Sequence, residues 1–155
     1  MAFSPSSPVT GATVSGLTSP TYTLTTDVAP NINGKQYAVS ALGGTQTGVD
    51  VNSVSKPFTH TFFRPQVLKT LPAPNPTTGV VKSIPVNTYK LISRKGAVPA
   101  VNQTTQVARI TTMIEVPAGT DTYEPEELRA LVSSHVGMLS QQASGIADTI
   151  ITGVI

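Results

Sequence analysis

Apolar and polar residues alternate in short runs over most of the chain, and the period changes near its end. Tyr22-Thr23-Leu24-Thr25 alternates, Asn33-Gly34 is a strong tight-turn signal, and Gln36-Tyr37-Ala38-Val39 alternates again. Gly43-Gly44 to Gly48 reads as a loop. Pro57 to Arg64 (PFTHTFFR) is rich in Thr and Phe, as a strand is, and Pro65 stops it. Pro72, Pro74, Pro76, Pro85 and Gly79 make residues 71–85 loop or edge material.

Two longer strands follow. Asn87 to Arg94 places Tyr89, Leu91 and Ser93 on one face, and Thr88, Lys90, Ile92 and Arg94 on the other. Thr104 to Val116 places Ala108, Ile110, Ile114 and Val116 on one face, with Val107, Arg109, Thr111, Met113 and Glu115 opposite. The alternation predicts a sheet with one buried face and one wet, basic face. Between the strands, Lys95, Gly96, Pro99 and Asn102 belong to a flexible-looking connection over 95–102.

After Val116 the period becomes 3.6. Pro117-Ala118-Gly119 breaks the strand, and Pro125 with Glu124, Glu126 and Glu127 suits a first helical turn. Leu128, Leu131, Val132, His135, Leu139 and Gln142 then share a helix face. Ser144-Gly145 interrupts the helix, and Ile146, Ile150, Ile151 and Val154 continue as a shorter apolar one. The pattern predicts an α+β chain, with a sheet over about 21–116 and helices over about 123–155. Residues 1–20, rich in Ser, Thr, Pro and Gly, form an extended arm or a poorly ordered tail ahead of a single domain, 21–155. The apolar C-terminus, Ile150 to Ile155, is too greasy to leave in water, which favours helices packed across a partner's sheet.

Composition supports self-association. Charged residues are 12% of the 155, about half the roughly 25% usual in soluble domains, so the surface suits a subunit covered by copies of itself. Residues 1–110 hold nine cations against Asp27 and Asp50, a balance of +7; residues 111–155 hold Arg129 against six acids, a balance of −5. Such segregation fits either a polyanion-binding face or two surfaces that attract one another in an oligomer. No apolar run is long enough to cross a membrane as a helix. The first residues have neither a basic n-region nor an apolar h-region, so no secretory signal is expected and the protein is read as cytosolic.

Candidate chemistry is sparse. Cysteine is absent, and His60 and His135 form no metal-binding pair. There is no nucleophile elbow, P-loop or dinucleotide fingerprint. Glu124, Glu126 and Glu127 are accounted for by the helix dipole. The chain is read as neither an enzyme nor a holder of metal, cofactor or small-molecule substrate. One cluster carries physics: Lys90, Arg94 and Arg109, with Thr88, Thr105 and Thr111, on the wet face of neighbouring strands. Cations on a sheet can neutralise phosphates while hydroxyls donate to phosphate or base edges. A plain solvated sheet face would carry the same residue types.

Phe62-Phe63-Arg64-Pro65, then Asn87-Thr88-Tyr89-Lys90, the 95–103 connection, the long strand from Thr104, and Tyr123-Glu124-Pro125-Glu126-Glu127-Leu128-Arg129 before two terminal helices occur in a telling order. Over Pro57 to Ile155 that order resembles the coat proteins of single-stranded RNA bacteriophages, the levivirus type. The resemblance implies an N-terminal hairpin and antiparallel sheet, two subunits joined edge to edge, and each one's helices lying over the other's sheet. Leu128, Leu131, Val132, His135, Ile146 and Ile150 would then be dimer-interface residues. It implies an icosahedral shell assembled in the bacterial cytoplasm, its wet sheet faces turned to the RNA genome, and binding of an RNA hairpin that represses translation and marks the genome for packaging. Lys90, Ile92 and Arg94 match inward positions on the penultimate strand, and Val107, Arg109 and Thr111 those on the last. Some members stack an aromatic on a base where this chain has Val107, and valine cannot do so. The 95–102 connection matches the loop that meets its copies around the symmetry axes. The alternative is a non-viral homo-oligomeric binding module without a nucleic-acid ligand.

Overall fold

The computed structural model describes residues 2–155, and its central feature is one antiparallel sheet whose six strands lie in chain order. They are β1 (Val9–Thr10), β2 (Thr18–Asp27), β3 (Gly34–Thr45), β4 (Phe58–Phe63), β5 (Val86–Ala97) and β6 (Gln106–Pro117). Three helices follow: α1 (Thr120–Tyr123), α2 (Pro125–Gln141) and α3 (Ala143–Thr152). Every connection between strands is a turn or loop to the next neighbour, so the fold is a meander with β6 as a free edge. Pro57 and Pro65 bracket β4, as their missing amide hydrogens require.

Several boundaries depart from the sequence expectation for identifiable reasons. Gly43-Gly44-Thr45 is strand, not loop, and pairs with β2 through Thr21↔Gly43 and Thr18↔Thr45. A bulge lies between those two pairs, with Ser19 at φ 46°. Gly44, at φ 72°, sits against it; a Cβ there would come within 2.2 Å of the Ser19 carbonyl oxygen. The glycines therefore serve a close backbone approach inside a strand rather than a turn. β2 begins at Thr18, inside the stretch read as arm or tail.

Lys95 and Gly96 also belong to a strand. Lys95 pairs with both Phe58 and Ala108, and the Gly96 amide donates to the Pro57 carbonyl at 2.7 Å. The free connection shrinks to 98–105, which holds Pro99 and Asn102, and Thr105 falls in it rather than in β6. After β6, Gly119 at φ 93° reverses the chain and its carbonyl accepts from the Thr122 and Tyr123 amides, creating the single turn α1. The helical break sits at Gln142, not at Ser144-Gly145, which lie inside α3. Pro125 opens α2 with Glu126 and Glu127 in its first turn, as the dipole favours.

The arm is laid on the sheet. Phe3 stacks on Phe62 at 4.7 Å between ring centroids and meets Tyr37 edge-on at 6.1 Å. The Leu24 amide donates to Ser7 Oγ at 2.9 Å, and Lys35 Nζ donates to the Phe3 carbonyl at 3.2 Å. The interior is thin: Val39 and Ala118 are the buried apolar residues, with Thr59, Thr61 and Asn87 the buried polar ones. No residue of α2 or α3 is buried.

Candidate nucleic-acid interface

Register decides which side chains share a face. β5 and β6 pair with Thr88↔Glu115, Lys90↔Met113, Ile92↔Thr111, Arg94↔Arg109 and Gly96↔Val107. Strand alternation therefore puts Thr88, Lys90, Ile92, Arg94, Arg109 and Thr111 on one face. β4 adds Thr59, Thr61 and Phe63, opposite Arg94, Ile92 and Lys90 respectively. Thr105 is half-buried in the preceding connection and stands outside this ladder. Tyr89, Leu91, Ser93, Ile110 and Ile114 point the other way, alongside Phe58, His60 and Phe62.

The electrostatics of the cation face are unusual. Arg94 and Arg109 lie directly opposite one another, an arrangement of like charges that costs stability in a sheet. Among the described residues the ion pairs are Lys56–Asp50 and Arg129–Glu126, so neither arginine nor Lys90 has a carboxylate partner. Arg94 Nε is buried without a hydrogen-bond partner in the chain. Two acids share this side: Glu115 pairs with Thr88, next on this face to the Lys90–Met113 pair, and Asp27 lies across the sheet on β2; neither is within ion-pair distance of Lys90, Arg94 or Arg109. A relay runs from Thr61 Oγ1 to Gln36 Oε1 at 2.8 Å, and from Gln36 Nε2 to Asp27 Oδ2 at 2.7 Å. The Gln36 side-chain amide and the Val28 backbone amide, both donating to it, hold the Asp27 carboxyl below its ordinary range.

Beside the ladder the face deepens into an open groove of about 860 Å³. Its floor includes Lys90, Ile92, Arg94 and Met113; the β2–β3 turn contributes Asn31 and Asn33. Arg64 and Lys69, from the long connection to β5, complete the wall. That connection is tied down by buried Asn87, whose Oδ1 accepts from the Lys69 amide at 2.8 Å and whose Nδ2 donates to the Lys69 carbonyl at 2.9 Å. The sequence reading missed Arg64, Lys69, Phe63 and the two asparagines, because their approach to Lys90 depends on β3–β4–β5 pairing. The alternation of PFTHTFFR carried Phe63's sidedness, but only the register says which side the cations share.

The other residues singled out lie elsewhere. Lys95 turns to the opposite face, its ammonium 4.7 Å from the Phe58 ring centroid and bonded to the Asp50 carbonyl at 2.7 Å. Burial near that ring lowers its pKa. Pro99 and Asn102 are exposed in the turn, and Asn102 adopts φ 62°. Leu131, Val132, Ile146 and Ile150 are exposed, as is His135, while Leu128 is half-covered. α3 meets the arm through a Ser15–Ser144 hydroxyl contact at 3.3 Å and a Ser15–Asp148 bond at 3.4 Å.

Neither a family model nor a curated protein matches the sequence. Among solved structures, the chain is similar to one described as the virus-like particle of bacteriophage ESE020. The two are 55% identical and superpose with a TM-score of 0.96, over 99% of this chain and 100% of that one. With the six-stranded meander and terminal helices already in view, an identity of that extent leaves one assignment. This chain belongs to the bacteriophage coat proteins, the structural proteins of the virion shell.

Proposed function

We propose that the chain is a coat subunit that pairs into dimers, assembles into an icosahedral shell and encloses single-stranded RNA against the face bearing Lys90, Arg94 and Arg109. The observation that carries the RNA reading is the directly opposed Arg94 and Arg109 with no carboxylate beside them. A sheet whose register sets two arginines opposite one another is stabilised when phosphates arrive. Thr88 and Thr111 supply donors on the same face.

Dimerisation is supported by what the lone chain leaves uncovered. A compact monomer of this mass exposes about 7,400 Å², whereas this chain exposes 11038 Å². Part of the excess lies in the loops, and part on β6, α2 and α3, where Ile110, Leu131, Met138, Ile150 and Ile151 stand in solvent. Joining β6 edges lets each pair of helices cover the partner's face carrying Tyr89, Leu91, Ile110 and Ile114. The bound arm and the sheet then act as one coat domain, and the 98–105 turn is left for contacts between dimers. Hairpin recognition for repression and packaging is a weaker function of this surface, because Val107 offers no ring to a base.

The test is titration of RNA against dimers at several salt concentrations. Each phosphate contact to a single strand adds about 0.7 to the slope of log affinity against log salt. Changing Lys90, Arg94 and Arg109 together to Ala should keep the dimer, weaken binding across sequences, and flatten that slope by roughly two units or more. Unchanged affinity and slope would place the RNA elsewhere.

A further inference from the structure

Phe63 is anomalous on the cation face. Of four Phe and four Tyr in the chain, Phe3, Tyr22, Tyr37, Phe58, Phe62 and Tyr89 pack among themselves on the opposite side, and Tyr123 lies beyond the sheet in α1. Phe63 alone of these aromatics occupies the groove. Its strand partners are Gly34 on one side and Lys90 on the other. One edge of the ring lies over Gly34, where a Cβ would come within 2.8 Å of two ring carbons. The absence of a side chain at 34 thus lets the ring settle low in the groove. The rest of β4's inward positions are threonines, so on a floor that also carries the aliphatic Ile92 and Met113, Phe63 is the one aromatic ring.

We propose that Phe63 is a stacking platform for one unpaired base of the RNA, with Arg64, Lys90 and Arg94 holding the flanking phosphates. This rests on the RNA-binding reading and adds to it the base contact that Val107 cannot make. Aromatic stacking tolerates any base because each has a π face, and flanking cations track the backbone. The groove's openness suits a strand entering from the side, and its four cations, Arg64, Lys69, Lys90 and Arg94, against the single acid Glu115, suit a polyanion rather than a neutral peptide. Exposed Asn31 lines the same groove with no side-chain hydrogen bond among the described residues, which leaves its amide free to pair with a base edge.

The probe is an oligouridylate carrying one 2-aminopurine, bound to dimers of the full chain. Binding should quench the fluorophore by stacking. Phe63→Leu should remove that quenching and weaken binding about tenfold while leaving the salt slope unchanged, since no phosphate contact is lost. Phe63→Tyr keeps the ring and should preserve both quenching and affinity, which separates stacking from any effect of Leu on folding. Quenching that persists in Phe63→Leu, or disappears in a folded Phe63→Tyr, overturns the proposal. If Phe63→Leu changes nothing while the triple cation variant loses RNA, the RNA reading stands and the stacking inference alone falls. If the unaltered protein binds no RNA, both fall.

Discussion

Single residues here do work that their type alone does not announce. His60 sits on the arm-bearing face, bonded through Nδ1 to Ser93 Oγ at 2.8 Å, and burial pushes its pKa down. The unfolded chain takes up this proton near the ordinary value of about 6.5, whereas the folded chain resists it. The unfolded state then holds more protons below that value, so stability is complete above it and falls as pH drops through it toward the lowered folded pKa. Denaturant titrations between about pH 7 and 5 should show this loss, and His60→Gln should flatten it. A slope that persists in the variant would assign the effect to other groups. Gly44 is the complementary case, a backbone requirement. Gly44→Ala combines a left-handed φ with a contact of 2.2 Å to the Ser19 oxygen, and should cost about 2 kcal/mol or more by equilibrium unfolding.

At the scale of elements, connections are held by specific ties. Asn87 satisfies both backbone groups of Lys69 and so holds residues 64–85 over the end of β5. Asn87→Ala leaves those groups without their partner, and limited proteolysis should then cut this segment faster while the sheet persists. The 98–105 turn is different: the Gln103 amide bonds within it to the Ala100 carbonyl at 3.2 Å, and among the described residues it is tied outward only where Gln106 Nε2 donates to Thr104 Oγ1 at 3.5 Å. Shortening it should leave dimers intact but alter or abolish shells when sized by light scattering. Loss of the dimer itself would show that this turn lies at the wrong interface.

At the scale of the whole molecule, the lone chain leaves its two long helices and much apolar surface uncovered. A sheet with little buried apolar volume and two helices with no buried residue gain little from each other within one chain. Folding and association should therefore be one transition, with a Tm that rises with protein concentration. Deleting residues 144–155 removes most of α3 and should give insoluble protein. A soluble, cooperatively folding monomer from that truncation would refute the exchange of helices between subunits.

The alternation of Tyr89-Lys90-Leu91-Ile92-Ser93-Arg94 was enough to separate a cationic face from an apolar one, because side-chain period in a strand is a local property. The 3.6 spacing from Leu128 to Leu139, opened by Pro125, located α2 for the same reason, and the scarcity of charge signalled a subunit rather than a free monomer. Gly43-Gly44 and Lys95-Gly96 read as loops locally, yet they are strands, since the reason for each glycine is another segment of backbone close by. Arg94 facing Arg109, Phe63 beside Lys90, and Arg64 and Asn31 across one groove all depend on register. Register is decided by pairing between distant segments, each of which, read alone, permits more than one alignment. The sequence determined what each strand carries on its two sides; tertiary structure decided which of those sides meet.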